Sequence, residues 1–232
     1  MCDFEGFRWR WSHTFHHSRT LQTKNDYDHE IQVSRPTDLI AFFLNFIPFT
    51  DLLFPHRLIK YEVTKHAFGF FTPVIDITAP KNEKKKILWN SRLYVFIWVV
   101  IIALSLYYKT ILPILYIILP TYYGKPLWFL VNVTQHLGAA LDTTDHREST
   151  YSLKINPVFS FLYWHMEYHL EHHMFPTIPS YNLKKLQKLI KDQVPKPFPS
   201  LFAFYKEVLP VVIKQATDPN HYYKTNSSIT KS

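Results

Sequence analysis

Cysteine and glycine are scarce: the chain has 232 residues and contains one cysteine and four glycines. A single cysteine excludes an internal disulfide and cannot ligate an iron–sulfur cluster by itself. The glycines are scattered, so the G-x-G-x-x-G turn of a dinucleotide site is absent, as is the C-x-x-C-H haem attachment sequence. A reaction that consumes electrons therefore has to receive them from a separate protein.

Aromatic and apolar residues, in contrast, are abundant, at 17% and 47% of the chain. Such a composition with long apolar runs favours a membrane protein over a soluble enzyme, while the mean hydropathy of -0.12 indicates a large polar part. We expect an all-α fold, an integral-membrane helical bundle with a histidine-rich cap. We also expect one domain over residues 1–216 and a polar, disordered tail over 217–232.

Apolar runs predict where the chain meets the membrane. Residues 87–133 are about right for two spanning helices, with a turn at 107–109 or at 120–126. Either turn brings the chain back to its starting side. The shorter run 39–54 predicts a helix that lies at the membrane interface or re-enters the membrane, with a buried core helix as the alternative. Residues 183–191 predict an amphipathic surface helix.

The net charge is +8, and the basic residues that produce it lie beside the apolar runs rather than in one patch the size of a nucleic-acid groove. Contact with anionic lipid headgroups explains this distribution, and we expect no nucleic-acid partner. The positive-inside rule places the histidine-bearing regions on the cytosolic side. The lysines that lead to this expectation precede the longest apolar run: Lys81, Lys84, Lys85 and Lys86.

Six of the thirteen histidines fall in two copies of the pattern H-x-x-H-H, at residues 13–17 and 169–173. On a helix these three positions share a face, so each copy projects three imidazoles in one direction. One such copy could be a chance cluster of histidines on the solvent-exposed surface. Two copies, each beside apolar segments, make that explanation improbable. We therefore interpret the six as metal ligands, with each copy serving its own ion.

Histidine nitrogens alone leave zinc, copper and iron open as the metal. The H-E-x-x-H pattern of zinc hydrolases is absent, which counts against a zinc-dependent membrane hydrolase. The two copies lie on either side of a predicted membrane hairpin and can meet at one membrane face. Two three-histidine groups that meet in this way favour a dinuclear centre.

The surroundings of these histidines resemble the second and third histidine boxes of membrane fatty acid desaturases. The matching segments are W-R-W-S-H, residues 9–13, leading into His16 and His17, and Y-H-L-E-H-H-M-F-P, residues 168–176. Asn132 and His136 resemble a further N-x-x-x-H pair of that family. The resemblance implies two irons, with Asn132 holding a metal-bound water and no catalytic residue beyond the ligands. The histidines implied as ligands are His13, His16, His17, His136, His169, His172 and His173.

The same resemblance implies a reaction. O2 serves as co-substrate, and a fatty-acyl or other lipid-like chain is desaturated or hydroxylated at the iron pair. The partners implied are the membrane, the lipid-like substrate and a separate electron donor, which is a b-type cytochrome, a ferredoxin or a Rieske-type protein.

One departure from the family pattern concerns the N-terminus. The family has a first histidine box upstream of the second, and His13 already opens the second box here. We therefore expect that this sequence lacks an N-terminal part with two further ligands and a preceding pair of spans. The alternative function is that of a truncated, catalytically inactive membrane relative.

Four polar residues near the ligands are candidates for supporting roles. Asp145 is expected to orient a ligating imidazole, and Asp142 and His146 are weaker candidates for the same role. His165 lies four residues before His169 and is expected either to be an extra ligand or to pack beside one.

Overall fold

The computed structural model describes residues 5–23, 39–54, 59–218 and 220–225, and the regular structure within these ranges is helical with no β-strand. The expected all-α class is confirmed. The helices, in chain order, are α1 (Gly6–Ser18), α2 (Leu39–Leu44), α3 (Ile59–Ala67), α4 (Pro73–Thr78), α5 (Lys84–Tyr107), α6 (Pro120–Tyr123), α7 (Lys125–Asn132), α8 (His146–Ser149), α9 (Pro157–Leu162), α10 (His169–Met174), α11 (Leu183–Ile190) and α12 (Leu201–Gln215).

The chain divides into two compact units. Unit 1 comprises Met1–Phe15 and Ile40–Phe129, and unit 2 comprises His16–Leu39 and Leu130–Ser232. The expected domain limit at residue 216 stays a prediction.

Helix α5 in unit 1 is long and apolar enough to cross a membrane, and among the described residues it alone meets that standard of length and composition. Its 24 residues rise by about 36 Å, which exceeds the hydrocarbon thickness of a bilayer of about 30 Å. Apolar side chains along it are exposed, for example Phe96 at 64% and Val99 at 58%. Such a surface suits lipid better than water, so the chain associates with a membrane.

The second spanning helix expected within residues 87–133 is not continuous. The chain turns at Tyr108 and Lys109, the first of the two predicted turn positions, with Lys109 at a φ of 49°. A π-helical turn at Ile114–Ile118, then α6 and then α7 follow in succession. Prolines at positions 113, 120 and 126 interrupt this arm because proline has no N–H to donate to the helical ladder.

The interfacial helix expected over residues 39–54 is also shorter than predicted. Helix α2 ends at Leu44, and the side-chain nitrogen of Asn45 then donates to the carbonyl oxygen of Ala41 at 2.7 Å. Pro48 follows, and Phe49 has a φ of 65°, so the chain leaves the helical conformation here. A short 3-10 turn, Thr50–Leu53, ends the segment.

A largely buried set of polar residues, which we call the charge cluster, also lies in unit 1. It consists of Glu5, Arg8, Glu62, His66 and Thr72. Arg8 Nη2 donates to Glu62 Oε2 at 3.0 Å, and these side chains are 8% and 15% exposed. Thr72 donates to Glu62 Oε1 at 2.8 Å, and His66 Nε2 lies 3.1 Å from the Thr72 hydroxyl. The Glu5 carboxylate accepts the Arg8 N–H at 2.8 Å at the start of α1. Each of these residues therefore has a partner within the cluster, and of the two His66 ring nitrogens it is Nε2 that is paired.

Unit 2 contains the predicted amphipathic helix, which the structure confirms as α11. Its buried side chains pack against Leu170 of α10 in one apolar cluster whose other members are Leu183, Leu186, Ile190 and Val194. Leu189 on the same helix is 79% exposed. The packing fixes α10 from behind, which matters because α10 carries three histidines.

Gly138 allows two segments of unit 2 to pack closely. Its φ is 70°, and an added Cβ would lie 3.2 Å from Cγ1 of Val208 on α12. Glycine at this position therefore lets α12 pack close to the segment that follows His136. Of the predicted tail, Tyr223 donates its N–H to the Gly138 carbonyl oxygen at 2.8 Å.

Candidate metal centre

Two helices and one turn carry the seven predicted histidine ligands. Helices α1 and α10 contain the two H-x-x-H-H copies, and His136 follows the 3-10 turn Val133–Gln135. Six of the seven lie in unit 2, where they form two neighbouring groups: His16, His17, His136, His169, His172 and His173.

The first group, which we call the buried quartet, consists of His16, His136, His169 and His173. Each is only 2–3% exposed, and their ligand nitrogens all lie within 4.8 Å of one another. His136 Nε2 lies 3.2 Å from both His16 Nε2 and His169 Nε2, and His173 Nε2 lies 3.1 Å from His169 Nε2. Four ring nitrogens therefore converge on one small volume.

The spacing and the proton positions of the quartet fit a metal ion. Nitrogens bound at about 2.0–2.1 Å in a tetrahedral arrangement are about 3.3–3.4 Å apart, close to the 3.1–3.2 Å seen here. His136 Nδ1 lies 2.8 Å from the Ser149 carbonyl oxygen, which can only accept. Nδ1 therefore carries the proton, and the lone pair is on the converging Nε2. His136 therefore directs a lone pair at the nitrogens of His16 and His169, as a metal ligand would.

The second group, which we call the outer pair, consists of His17 and His172. Their Nε2 atoms lie 3.0 Å apart, and both side chains are only half-buried. The His17 ring stacks on that of His173 with centroids 4.2 Å apart, so the outer pair adjoins the quartet. His13 lies one helical turn before His17 on α1, where its ring stacks on Trp9 with centroids 4.7 Å apart.

The histidines do not group by H-x-x-H-H copy, although the prediction gave each copy its own ion. The quartet takes His16 from α1 but His169 and His173 from α10, while the outer pair takes one histidine from each helix. Neighbouring positions on a helix differ in direction by about 100°, so His172 and His173 face different groups. Both helices therefore contribute to both groups, which holds the groups side by side.

Burial favours the protonation state that a metal needs. Desolvation, with His169 as the next contribution, lowers the pKa of His173 well below its ordinary value. Desolvation also lowers the pKa of His172. Neutral imidazole is the form that binds a metal, so these rings do not first have to lose a proton at neutral pH.

Glu171 is fully buried on α10 between the ligands. Ser152 Oγ donates to its Oε2 at 2.5 Å, and burial raises the pKa of this carboxyl. The same Ser152 oxygen accepts the N–H of Leu170 at 3.3 Å. These bonds hold α10 in place and thereby fix the directions of its histidines.

The expected supporting role of Asp145 is wrong. Its carboxylate accepts from Arg147 Nη2 at 2.7 Å and from the Arg147 backbone N–H at 2.9 Å, and the hydrogen-bonded guanidinium lowers the pKa of Asp145. A cation two residues away is a nearer partner than any imidazole. The carbonyl oxygen of Ser149 orients His136 instead, and a backbone partner leaves no signal in the sequence.

The other polar residues that the sequence marked near the ligands differ in what they contact. Asp142 Oδ1 accepts the Thr23 N–H at 2.7 Å, and the His146 ring lies 5.3 Å from that of His173. His165 Nδ1 lies 2.8 Å from Ser160 Oγ, and His165 belongs to neither group, which supports the packing role. Asn132 is the half-buried last residue of α7, and its role stays a prediction.

Comparison with known proteins points to a family. The sequence matches the family profile described as Fatty acid desaturase over residues 1–205. A curated protein named "Omega-3 fatty acid desaturase, endoplasmic reticulum", from Nicotiana tabacum, is 27% identical over 227 residues, which cover 86% of this chain and 54% of that protein. The chain thus spans about half the length of the curated relative it matches. No solved structure matches the chain.

Proposed function

The chain belongs to the fatty acid desaturase family, and from this membership we propose that it is a membrane oxidoreductase that uses O2 to desaturate a fatty-acyl chain at a di-iron centre. The observation that carries the proposal is the buried quartet with the outer pair beside it. One ion is assigned to the quartet. The other is assigned to the outer pair, with His13 as a further ligand from its helical spacing and Asn132 holding a metal-bound water.

The reaction balances with external electrons. RCH2–CH2R, O2, two electrons and two protons give RCH=CHR and two waters. Bound iron supplies the activation of O2, whereas the chain supplies position and shielding. The quartet, at 2–3% exposure, keeps water from one side of the centre, and the half-buried outer pair leaves the other side accessible to substrate.

The substrate proposal is a fatty-acyl chain that enters from the membrane. The tobacco relative is named for an omega-3 fatty acid, and α5 gives this chain a membrane-facing surface. Hydroxylation of the same chain needs the same O2 and the same two electrons. The position of the substrate decides which of its atoms react, and therefore which of the two products forms. Mass spectrometry of lipids from reactions under 18O2 separates the two, because only hydroxylation leaves 18O in the product.

Iron content and turnover test the proposed function. The purified chain in lipid nanodiscs is loaded anaerobically with Fe2+, and bound iron is measured by mass spectrometry before deuterated acyl lipids, O2 and a reduced donor protein are added. We expect about two irons per chain and an O2-dependent double bond. Bound zinc that cannot be exchanged for iron, with lipid hydrolysis in the absence of O2, contradicts the proposal.

The second candidate is a non-catalytic relative that keeps the metal site. The observation in its favour is the difference in ligand number within unit 2, where the quartet offers four imidazoles and the outer pair offers two. A second ion would therefore have fewer ligands than the first. Its expected outcome is no more than one iron per chain and no product under any donor. Two irons with product formation excludes it.

We propose that both histidine groups lie on the cytosolic side. The support is the lysine run at the start of α5 together with the positive-inside rule. Lys85, which is exposed, is replaced by Cys in a Cys2→Ser background and treated with an impermeant thiol reagent on intact cells. We expect no labelling there and strong labelling of the matched variant Tyr108→Cys at the other end of α5. The reverse pattern contradicts the assignment.

A separate electron donor completes the proposal. The sequence carries neither a dinucleotide-binding turn nor a haem or iron–sulfur attachment pattern. The donor is a b-type cytochrome, a ferredoxin or a Rieske-type protein, and the net charge of +8 favours an acidic one. We expect turnover only with added donor, with a rate that falls as salt rises. Turnover with NADH alone contradicts this part.

A further inference from the structure

Thr20, in the turn that follows α1, contacts a histidine of the buried quartet. The side chain is 3% exposed, and its Oγ1 lies 3.1 Å from His173 Nδ1 and 2.8 Å from the carbonyl oxygen of His16. One hydroxyl thus contacts two members of the quartet, one through its ring and one through its backbone.

The protons in this arrangement have one consistent assignment when His173 binds a metal. A hydroxyl has one proton to donate, and the carbonyl oxygen of His16 can only accept it. The Thr20 oxygen must then accept from His173, so the proton of that ring is on Nδ1. The lone pair of His173 is consequently on Nε2, the atom 3.1 Å from His169 Nε2.

The turn that carries Thr20 is itself held in place. Leu21 is fully buried with a φ of 55°, and its carbonyl oxygen accepts the Asp142 N–H at 3.1 Å. The Asp142 carboxylate accepts the Thr23 N–H at 2.7 Å and the Thr23 hydroxyl at 2.5 Å. The hydroxyl of Thr20 is therefore presented to His173 by a turn with few other conformations.

We propose that Thr20 is a positioning residue that holds His173 in the Nδ1-protonated tautomer, with its Nε2 lone pair directed at the metal position. The inference rests on the proposed function, because it assumes that the quartet binds a metal. Residues that orient ligating histidines in this way typically change metal affinity by about 10–100-fold when they are removed.

Three substitutions test the role of the hydroxyl. Thr20→Val keeps the shape of the side chain and removes its hydroxyl. Thr20→Ser keeps the hydroxyl and removes the methyl group, and Thr14→Val is the matched control. Thr14 lies on α1, before the turn that carries Thr20. Its hydroxyl also donates to the carbonyl oxygen four residues earlier, at 2.8 Å, but it is exposed and that oxygen belongs to Arg10. The full chain in nanodiscs is titrated with Co2+, whose absorption reports the ligand field, and in competition with a chelator.

We expect Thr20→Val to weaken Co2+ binding about 10–100-fold, and we expect Thr20→Ser and Thr14→Val to bind like the unmodified chain. Equal affinity of Thr20→Val and the unmodified chain overturns the proposal, as does a Thr20→Ser variant as weak as Thr20→Val. A separate readout does not depend on folding of the variants: the 15N shifts of His173 in the unmodified chain. Nδ1 should be protonated, and protonation at Nε2 instead overturns the proposal.

The same titration separates this inference from the proposed function. Co2+ binding requires neither O2 nor lipid nor donor. An unmodified chain that binds no Co2+ overturns the metal centre and this role together. Normal binding that is insensitive to Thr20→Val overturns the role of Thr20 alone.

Discussion

The charge cluster of unit 1 and the buried quartet of unit 2 are both buried polar sets, yet they differ in what they need. In the charge cluster, Arg8 faces Glu62 at 3.0 Å, so donors meet acceptors and opposite charges meet. In the quartet, Nε2 atoms face one another at 3.1–3.2 Å with no acid among them. The first set pairs opposite charges within the chain, whereas the second presents convergent nitrogens that suit a cation. Burial of polar groups therefore does not identify a site, but a mismatch of donors and acceptors does.

Breaking the quartet gives the largest expected effect. His169 has two Nε2 neighbours, His136 and His173, so His169→Ala should weaken metal binding at the quartet by more than about 100-fold, beyond the usual cost of losing a supporting residue. Bound iron and turnover measure this. The control is His165→Ala, four residues earlier and in neither group, which should keep its iron. Equal losses in both variants would show that the effect is general unfolding.

Removing one member of the outer pair sharpens the comparison. We expect His172→Ala to lower bound iron from about two per chain to about one and to abolish turnover, because the quartet is left intact. Loss of all iron would mean that the two groups load as one unit. Full iron with normal turnover would remove His172 from the centre.

Breaking the charge cluster should change stability and leave metal binding alone. Glu62→Leu leaves Arg8 buried without its carboxylate, which costs about 3–5 kcal/mol in the free energy of unfolding. Denaturant midpoints of the protein in detergent measure this. The double variant Arg8→Met/Glu62→Leu should recover most of the loss, because two apolar residues replace a buried pair at little cost. Iron loss in either variant would contradict the separation of the two sets.

A smaller effect concerns Glu5, where burial raises the pKa of the carboxyl from its ordinary value of 4.5 to about 7. The folded state then binds more protons than the unfolded state between pH 4.5 and 7, so the free energy of unfolding falls as pH rises through this window. The decline attributable to Glu5 is about 3 kcal/mol. Glu5→Gln should remove it, and thermal midpoints of the two proteins from pH 4.5 to 8 provide the measurement. Parallel pH profiles would contradict it.

Periodicity predicted the helices that a single local pattern determines. Helix α5 and the amphipathic α11 lie where apolar spacing placed them. The second spanning helix and the interfacial helix over 39–54 were predicted too long, because hydropathy outweighed Pro113, Pro120 and Pro48. These prolines were visible in the sequence and could have corrected the lengths.

The sequence indicated which residues belong to the candidate site, but it did not indicate how those residues are grouped in space. Spacing within H-x-x-H-H marked the histidines, and six of the seven predicted come together in unit 2. Their division into quartet and outer pair depends on the rotation of α1 and α10, which packing decides. Thr20, three residues after His17, had only its spacing to mark it, and the Ser149 carbonyl oxygen had nothing.

The order in which the ribosome makes the quartet has a consequence for metal binding. His16 and His136 are 120 residues apart, and at about 5–20 residues per second their synthesis is separated by roughly 6–24 s. Helix α5 is made within that interval, and the last quartet member, His173, follows later still. The four nitrogens can therefore converge only after α5 has been made, so a metal ion that needs all four cannot bind to the earlier part of the nascent chain.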